Sequence, residues 1–340
     1  MIRTVLFAGL SLLLVAVQAD ADADADADAE AELEAADYGA LQAFVEEMVL
    51  EHGFERAELE ALLAQARTQE EIIDRISRPA ERALTWAEYR RMFLGDARIE
   101  EGARFVLDHR EALARAHAVF GVEPIYVSAI LGVETRYGRF KGDWLVLDAL
   151  YTLGFDYPPR ADFFRRELEA FLLLAREEGK DPRALTGSYA GAMGWGQFIS
   201  SSYRAYAVDF DDDGVRDIWA NPVDAIGSVA NYFAEHRWQA GEEVLRNVEI
   251  DDPEAVAEFM NVGLELGTTV GALMALGVRG LEGLAPQTPA GLWQVEAEAG
   301  QRFVVTFGNF YTITRYNRSH LYAMAVEDLA RAIEAKLAGG

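Results

Sequence analysis

The segment PIYVSAILGVETRYG, residues 124–138, decides how this 340-residue chain folds. Its proline suits the first position of a helix and the apolar run breaks at Tyr137-Gly138, so the pattern predicts a short helix over Ile125 to Glu134. A helix that is apolar on all sides is normally buried, which places this one in the core. One carboxylate, Glu134, stands at its end.

Helical periodicity continues on both sides of this segment. Apolar residues recur at spacings of three, four and seven, which predicts amphipathic helices packed around the buried one. These residues are Leu41, Phe44, Val45 and Met48 before Gly53; Leu59, Leu62 and Leu63; Ile99, Gly102, Ala103 and Val106 in one long helix running towards His117; Phe163, Phe164, Leu168, Phe171, Leu172 and Ala175 before Gly179; and Leu321, Ala325, Leu329 and Ile333. The chain is therefore expected to be mainly α.

A different period is found near the C-terminus. Apolar and polar residues alternate in two runs, Trp293-Val295-Ala297 and Phe303-Val305-Phe307, which are separated by a turn at 298–301. Alternation predicts strands, and the short turn between them predicts a β-hairpin. Residues 242–310 are therefore expected to form a small β-containing insertion.

The charge of the chain excludes one class of partner. Lys and Arg total 31 against 57 Asp and Glu, which gives a formal net charge of -26 at pH 7. An acidic protein is repelled by a phosphate backbone, so no nucleic acid is expected as a partner. Apolar residues make up 51% of the chain, which is ample for a large core.

The N-terminal residues have the pattern of an export signal. Residues 1–19 contain Arg3, an apolar stretch too short to span a membrane, and small residues before the expected cleavage site. We therefore expect a signal peptide and a periplasmic protein. The alternating Ala-Asp repeats within residues 20–37 cannot bury enough apolar area to order the chain, so they predict a disordered acidic spacer. Because there is no cysteine, neither a disulfide nor a lipid anchor on cysteine is expected.

The carboxyl of Glu134 is the first candidate for chemistry. Burial disfavours the charged form and raises the pKa of a carboxyl, and a carboxyl that stays protonated near neutral pH can act as a general acid. The alternative is an ion pair between Glu134 and Arg136 or Arg139, which are close in sequence. Composition alone favours the ion pair, so the surrounding motifs have to decide.

The segment GSYAGAMGWGQF, residues 187–198, is the second candidate. Its glycines let a ligand approach the main chain closely, and its aromatic and amide side chains suit the apolar faces and hydroxyl rim of a sugar. A phosphate-binding loop is the competing function, but the GxxxxGK[ST] pattern is absent from the sequence. A loop that only packs tightly against helices is the structural alternative.

The third candidate is the acidic segment DFDDDG, residues 209–214. Asp209, Asp211 and Asp213 occupy positions 1, 3 and 5 of an EF-hand loop, and Gly214 occupies position 6. Hard carboxylate oxygens on a sharp turn suit Ca²⁺. The pattern indicates a structural calcium ion, with an exposed acidic turn as the alternative.

The second half of this loop departs from the EF-hand pattern. Asp217 falls at position 9, but position 12, where a bidentate glutamate is expected, is Ala220. A longer loop could be closed by Asp224 instead. We therefore expect Asp217 and Asp224 to complete the calcium site.

Five sequence blocks together resemble a known enzyme family. The blocks are GVETRYGR at 132–139, DALYTLGFDYP at 148–158, GSYAGAMGWGQF at 187–198, DAIGSVANYF at 224–233 and NFYTITRYN at 309–317. In order and spacing they are similar to the membrane-bound lytic murein transglycosylase B family, glycoside hydrolase family 103. The resemblance covers the chain from near Tyr38 to its end.

The resemblance implies a fold class and a division of the chain. The implied class is mainly α (α+β): a lysozyme-like core with an additional α-domain and a small antiparallel β-domain. The chain then divides into a signal peptide (1–19), a disordered acidic spacer (20–37), a mainly helical α-domain segment (38–120), a lysozyme-like catalytic core with the EF-hand-like loop (121–241), the β-domain (242–310) and a C-terminal helix returning to the core (311–340).

The resemblance also implies a reaction and its residues. Members cut the β-1,4 bond between N-acetylmuramic acid and N-acetylglucosamine in peptidoglycan without water, and they leave a 1,6-anhydro ring on the muramoyl product. Glu134 matches the family's single catalytic acid. Ser188, Met193, Gln197, Tyr232, Tyr311 and Tyr316 match positions that bind the glycan, Arg160 matches a cleft arginine, and Asp209, Asp211, Asp213, Asp217 and Asp224 match a calcium site. No organic cofactor is expected, and we expect a monomer that binds glycan strands.

One carboxyl is enough for such a reaction if the substrate supplies its own nucleophile. The N-acetyl group of muramic acid can do so through its carbonyl oxygen, and Glu134 would then act first as an acid and afterwards as a base. We therefore expect an exported lytic transglycosylase. The alternatives are a muramidase that admits water and a non-catalytic, calcium-stabilised peptidoglycan-binding protein.

Overall fold

The structure, a computed structural model, describes residues 39–77 and 84–339. The predicted signal peptide and acidic spacer lie outside these residues and stay predictions. The helices of the described part are α1 (39–52), α2 (Arg56–Leu63), α3 (Glu70–Ser77), α4 (Trp86–Phe93), α5 (Asp96–Asp108), α6 (Arg110–Phe120), α7 (Pro124–Thr135), α8 (Val146–Phe155), α9 (Ala161–Glu177), α10 (Ser200–Tyr206), α11 (Pro222–Glu235), α12 (Val270–Ala275), α13 (Gly308–Tyr316) and α14 (His320–Ala338). The strands are β1 (Trp144–Leu145), β2 (Thr186–Gly187), β3 (Leu245–Ile250), β4 (Thr268–Thr269), β5 (Val278–Arg279), β6 (Pro289–Ala297) and β7 (Gly300–Thr306).

Helix α7 lies in the middle of the helical core, as its composition predicts. It begins at Pro124 and ends at Thr135. Val127, Ala129 and Ile130 within it have no exposed surface. It packs against α5, α6, α11 and α14, so the buried helix is surrounded by amphipathic ones.

The long helix predicted to run from Ile99 towards His117 is wrong, because the structure has two helices there. Helix α5 ends before His109, whose φ of -111° and ψ of 23° are not helical, and α6 begins directly after it. The break lets α5 pack against α14 while α6 packs against α11. Periodicity did not reveal the break, since both helices keep a buried apolar face.

The single helix predicted for 311–340 is likewise two helices, α13 and α14. Asn317 interrupts them with an extended backbone, φ -140° and ψ 123°. Ser319 then starts α14, because its hydroxyl accepts a hydrogen bond of 3.3 Å from the backbone N–H of Tyr322. The predicted apolar face of α14 is confirmed, since all four of its predicted residues are buried. The interruption places Tyr316 near Tyr322, with ring centroids 6.5 Å apart.

The β-hairpin is confirmed as β6 and β7, which pair from Gly291 opposite Thr306 to Ala297 opposite Gly300. The hairpin belongs to an antiparallel five-stranded sheet of order β4-β6-β7-β3-β5. This sheet has a small apolar core of its own, which includes Val248, Val270 and Leu273. Strands β1 and β2 form a separate antiparallel pair within the helical part.

No single helix of the described residues is long and apolar enough to cross a bilayer. Helices α6 and α7 together reach the necessary length and apolar character, but they are bent by 113° relative to each other.

Candidate active site

Glu134 lies at the C-terminal end of α7, against the first turn of α14. The Tyr322 hydroxyl donates a hydrogen bond of 2.5 Å to Glu134 Oε1. Glu134 is half-buried, whereas most of α7 is fully buried, so this carboxylate is a part of the helix that solvent can reach. The fold thus joins two residues that are 188 positions apart in the sequence.

The chain turns sharply after α7. Arg136 and Tyr137 have positive φ values of 50° and 58°, a left-handed conformation that costs about 1 kcal/mol or more for each non-glycine residue. Thr135 holds this turn, because its Oγ1 accepts a hydrogen bond of 2.9 Å from Gly138 N and donates one of 2.8 Å to the Trp195 carbonyl oxygen. The turn therefore fastens the end of α7 to the segment 187–198.

Arg136, one of the two ion-pair partners considered for Glu134, is engaged with Glu101. Its Nε and Nη2 donate to the two Glu101 carboxylate oxygens at 2.6 and 2.9 Å. This hydrogen bond is the largest cause that lowers the pKa of Glu101 below its usual value. The Arg139 guanidinium lies 5.2 Å from the centroid of the Phe140 ring. The hydrogen bonds that Arg136 donates to a carboxylate are therefore directed at Glu101.

The glycine-rich segment 187–198 is a compact loop held by its own main chain. Met193 and Phe198 exchange backbone hydrogen bonds of 2.8 and 3.0 Å, and Ser188 N donates to the Ala192 carbonyl at 2.8 Å. Gly194 has a φ of 71°, and a Cβ there would lie 2.5 Å from the Ile218 carbonyl oxygen. Close packing thus accounts for this glycine, as the structural alternative predicts.

Two polar side chains of the loop keep groups available for a ligand. Ser188 Oγ accepts hydrogen bonds from Ala190 N and Ala192 N at 3.3 and 3.1 Å, so its own hydrogen can still be donated. Gln197 Nε2 donates to the carbonyls of Lys141 and Gly194 at 3.1 and 2.9 Å, which leaves its Oε1 as an acceptor. Both residues are half-buried.

Three tyrosines form a cluster with the loop and Glu134. The ring centroids of Tyr232 and Tyr316 are 4.8 Å apart, and Tyr316 stacks on Tyr322 at 6.5 Å. Their hydroxyls donate 2.6 Å hydrogen bonds, Tyr232 to the Arg315 carbonyl and Tyr316 to the Gly196 carbonyl. Burial raises the pKa of all three tyrosines, and the Glu134 charge raises it further for Tyr316 and Tyr322. These hydroxyls therefore remain protonated donors.

Three further predicted residues have different surroundings. Met193 has no exposed surface, so it supports the loop from the core in this conformation. Tyr311 lines a cavity of about 540 Å³ between α13 and the β4–β6 edge, together with Arg315 and Arg318. Arg160 is exposed at the start of α9, with its guanidinium 4.3 Å from the Phe163 ring centroid.

Three of the five predicted calcium ligands form one cluster. Asp209, Asp211 and Asp213 each place a carboxylate oxygen within 4.8 Å of the others. The two oxygens of Asp209 accept backbone hydrogen bonds from Asp213 and Gly214 at 3.1 and 2.7 Å, and Asn221 Nδ2 donates to Asp211 Oδ2 at 2.8 Å. Carboxylates at this spacing repel one another unless a cation shares them, and hard oxygen ligands suit Ca²⁺. The donor set therefore fits a calcium ion.

In the described part of the chain, Asp217 and Asp224 are not members of this cluster. Asp217 Oδ1 accepts backbone hydrogen bonds from Trp219 and Ala220 at 2.9 and 3.0 Å. Asp224 is fully buried, and its two oxygens accept from Phe210 N and Asp217 N, both at 2.7 Å. Burial is the largest cause that raises the pKa of Asp224 above its usual value. Asp224 closes the loop, but through backbone hydrogen bonds.

Tyr322 and Thr135 contact the Glu134 region, and the sequence motifs did not predict them. Tyr322 is 2% exposed on α14, and a buried tyrosine normally needs a partner for its hydroxyl. A polar residue on an otherwise apolar helical face was therefore the available signal. Thr135 gave no signal beyond its position next to Glu134.

Comparison with known proteins identifies close relatives. The family model described as the transglycosylase SLT domain matches residues 36–331. Membrane-bound lytic murein transglycosylase B of Escherichia coli (strain K12) is 41% identical over 301 residues, which are 86% of this chain and 82% of that protein.

Two solved structures are similar to the whole described fold. The soluble lytic transglycosylase SltB1 from Pseudomonas aeruginosa has a TM-score of 0.83 and 49% identity, and the match covers 87% of this chain and 98% of that one. The Escherichia coli lytic transglycosylase Slt35 in complex with calcium has a TM-score of 0.80 and 40% identity, over 88% of this chain and 94% of that one. These neighbours have a lysozyme-like fold, as expected from the sequence. The chain therefore belongs to a family of enzymes, the transglycosylase SLT domain family.

Proposed function

We propose that this protein is a lytic murein transglycosylase that cuts the β-1,4 bond between N-acetylmuramic acid and N-acetylglucosamine and leaves 1,6-anhydromuramoyl ends. Its family and the names of its relatives support the reaction class. One observation carries the mechanism: the 2.5 Å hydrogen bond from the Tyr322 hydroxyl to Glu134 Oε1, at the end of a buried helix.

In the first step, the Glu134 carboxyl gives its proton to the glycosidic oxygen. The bond between that oxygen and C1 of the muramoyl sugar breaks, and N-acetylglucosamine leaves with a hydroxyl group. The carbonyl oxygen of the muramoyl N-acetyl group bonds to C1 and forms an oxazolinium ring. Because the substrate supplies this nucleophile, one carboxyl is sufficient.

In the second step, the ionised Glu134 takes the proton of the C6 hydroxyl of the same sugar. The C6 oxygen bonds to C1 while the bond from C1 to the N-acetyl oxygen breaks, and the 1,6-anhydro ring closes. Glu134 ends protonated, and no water is consumed. Between the two steps, the Tyr322 hydroxyl stabilises the ionised Glu134, since a hydrogen bond to an ionised carboxylate is worth about 1.5–3 kcal/mol.

The free polar groups of the loop support a role in holding the sugar. We assign the Ser188 hydroxyl hydrogen and Gln197 Oε1 to the amide of the N-acetyl group, which has one acceptor and one donor. Both side chains are held by main-chain hydrogen bonds, so they are oriented before the substrate binds.

The remaining predicted residues take supporting or distal roles in this proposal. Met193, Tyr232 and Tyr316 hold the loop from behind. Tyr311 contributes an aromatic surface in its own cavity, where a sugar can stack. Arg160 is exposed and offers a charge to an acidic group of the strand.

We propose that Asp209, Asp211 and Asp213 hold a structural calcium ion. The relative Slt35 was solved in complex with calcium, and the donor set of this chain fits the ion. The ion supplies charge neutralisation and a cross-link within the loop that precedes α11. We assign Asp217 and Asp224 to shaping the loop around the ion.

The proposed setting is the periplasm, where the protein acts as a monomer on glycan strands. The name of its relative, a murein transglycosylase, supports peptidoglycan as the substrate. The net charge of -26 makes nucleic acid a poor partner. A chain without cysteine has no acceptor for a lipid anchor of the cysteine type.

Mass analysis of the products released from purified sacculi tests the proposed reaction. Anhydromuramoyl products are lighter than hydrolysed ones by one water, so the two reactions are separated directly. We expect anhydro products without an added cofactor. Hydrated products would assign the muramidase reaction instead, and no release of soluble fragments would favour the non-catalytic binding protein.

A further inference from the structure

A second cavity lies beside the β1–β2 pair, and it contains none of the residues assigned above. Its volume is about 490 Å³. The side chains that matter for its chemistry are Trp144, Gln65, Gln69, Arg67, Asp143 and Arg183. They come from β1, from the connection between α2 and α3, and from the segment before β2.

Strand β1 places this cavity next to the glycine-rich loop. Trp144 pairs with Gly187, the residue that directly precedes Ser188. Paired Cα atoms of antiparallel strands lie about 5 Å apart. A Cβ at Gly142 would lie 2.1 Å from the Gly187 carbonyl oxygen, so the two segments are in direct contact. A ligand held at Ser188 therefore has this cavity as its neighbour.

The part of the lining that comes from the connection between α2 and α3 is fixed before any ligand binds. Arg67 N donates to Asp148 Oδ1 at 3.1 Å, and Gln69 Nε2 donates to Asp148 Oδ2 at 3.2 Å. Gln69 N donates to Thr152 Oγ1 at 3.0 Å, which ties the same connection to α8. Sites for small ligands are usually formed in advance in this way.

The chemistry of the lining suits a neutral, hydroxyl-rich ligand. Trp144 is half-buried and offers an indole, with the Arg75 guanidinium 5.8 Å from its centroid. Arg67 and Asp143 are exposed and add charges of opposite sign, while the glutamines add amide donors and acceptors. A ligand of one charge would meet repulsion from part of this lining, whereas a sugar can stack on the indole and exchange hydrogen bonds with the rest.

We infer that this cavity is a distal saccharide subsite, at which Trp144 stacks on an N-acetylated sugar of the strand bound at Glu134. The inference rests on the proposed function, because it takes the substrate to be a glycan. A strand long enough to reach both places would then be bound more tightly than a short one.

Calorimetric binding of β-1,4-linked N-acetylglucosamine oligomers tests the inference. The Glu134→Gln chain is used as the parent, so that the oligomers stay intact during the measurement. We expect Trp144→Ala to weaken binding of the hexamer about tenfold and to leave binding of the dimer unchanged. Trp144→Phe should restore most of the hexamer affinity. Met92→Ala removes an exposed apolar side chain elsewhere and should change neither affinity.

A second variant distinguishes loss of the subsite from damage to the fold. Arg67→Ala removes an exposed side chain but keeps the backbone hydrogen bond to Asp148, and we expect it to weaken hexamer binding about threefold. The subsite would be overturned if Trp144→Ala and Arg67→Ala both leave the hexamer affinity unchanged. It would also be overturned if both variants lose as much affinity for the dimer as for the hexamer. The mass of the products formed by the unaltered chain tests the proposed function separately from the subsite. Failure to form anhydro products would overturn the proposed function, regardless of how the Trp144 variants bind the oligomers.

Discussion

Glu134 and the Asp209-Asp211-Asp213 cluster are both carboxylate sites, but the chain builds them in opposite ways. Glu134 is a half-buried acid that receives a hydrogen bond from a tyrosine 188 positions away. The aspartates are mainly exposed, and Asp209 receives its hydrogen bonds from residues four and five positions away. One site is made by packing two distant helices, and the other by a local turn.

This difference determines which chemistry each arrangement suits. A carboxyl that receives a hydrogen bond from a tyrosine hydroxyl can give a proton to a substrate and take one back. Three carboxylates within 4.8 Å of one another repel unless a cation shares them, so this arrangement suits ion binding. Changes at Glu134 should therefore affect the reaction and leave stability nearly constant, and changes at the aspartates should do the reverse.

The largest expected effect is the loss of activity in Glu134→Gln. The amide cannot donate and recover the proton, so release of soluble fragments from sacculi should fall by about 10²–10⁴-fold. The shape of the side chain is kept, so the melting temperature should stay close to that of the parent. Glu100→Gln changes an exposed glutamate on α5 and serves as the control. Retained activity in Glu134→Gln would remove this residue as the acid.

Removal of the hydroxyl in Tyr322→Phe should give the next largest effect. The ionised Glu134 then loses a hydrogen bond, and kcat should fall by about tenfold to a hundredfold with little change in KM. Tyr126→Phe is the matched control, because its hydroxyl donates to Glu327 across the same two helices at 2.7 Å. The control should lower stability and spare kcat. Equal kcat in the two variants would show that the tyrosine hydroxyl has no part in the reaction.

Removal of calcium should affect stability rather than chemistry. A cation present at a hundred times its dissociation constant stabilises the folded state by about 2.7 kcal/mol, so a chelator should lower the melting temperature and added calcium should restore it. Asp211→Asn should abolish most of this response. Asp212→Asn changes an acid of the same loop that is outside the cluster, and should retain the response. If the chelator leaves the melting temperature unchanged, the three aspartates are not calcium ligands.

The smallest effect concerns Glu327, a buried carboxyl at the other end of the α7–α14 contact. Burial is the largest cause that raises its pKa above 4.5, so between 4.5 and the raised pKa the folded state binds more protons than the unfolded state. Stability from this group should therefore decrease as the pH rises through that range. The free energy of unfolding in urea, measured at pH 5 and pH 7, should decrease with pH in the parent and decrease less in Glu327→Gln. An equal decrease in both proteins would assign the pH dependence to other groups.

Much of the fold could be predicted, since helices and hairpins follow from local patterns. The apolar run that forms α7 and the alternation that forms β6 and β7 are in place. The break at His109 could not be predicted, because the apolar pattern continues across it and only the packing of α5 on α14 and of α6 on α11 separates the two helices. The break at Asn317 did have a local signal, the polar run 317–320 with Ser319 as a helix cap.

The candidate site divides in the same way. The sequence by itself determined the Asp209-Asp211-Asp213 turn, the glycine-rich loop and the position of Glu134 at a helix end, since neighbours in the chain create each of them. Tertiary structure alone decided that Tyr322 meets Glu134, that Asp224 accepts backbone hydrogen bonds, and that Trp144 lines a cavity beside Ser188. Periodicity reports which face of an element is buried, whereas such contacts depend on how separate elements are packed together.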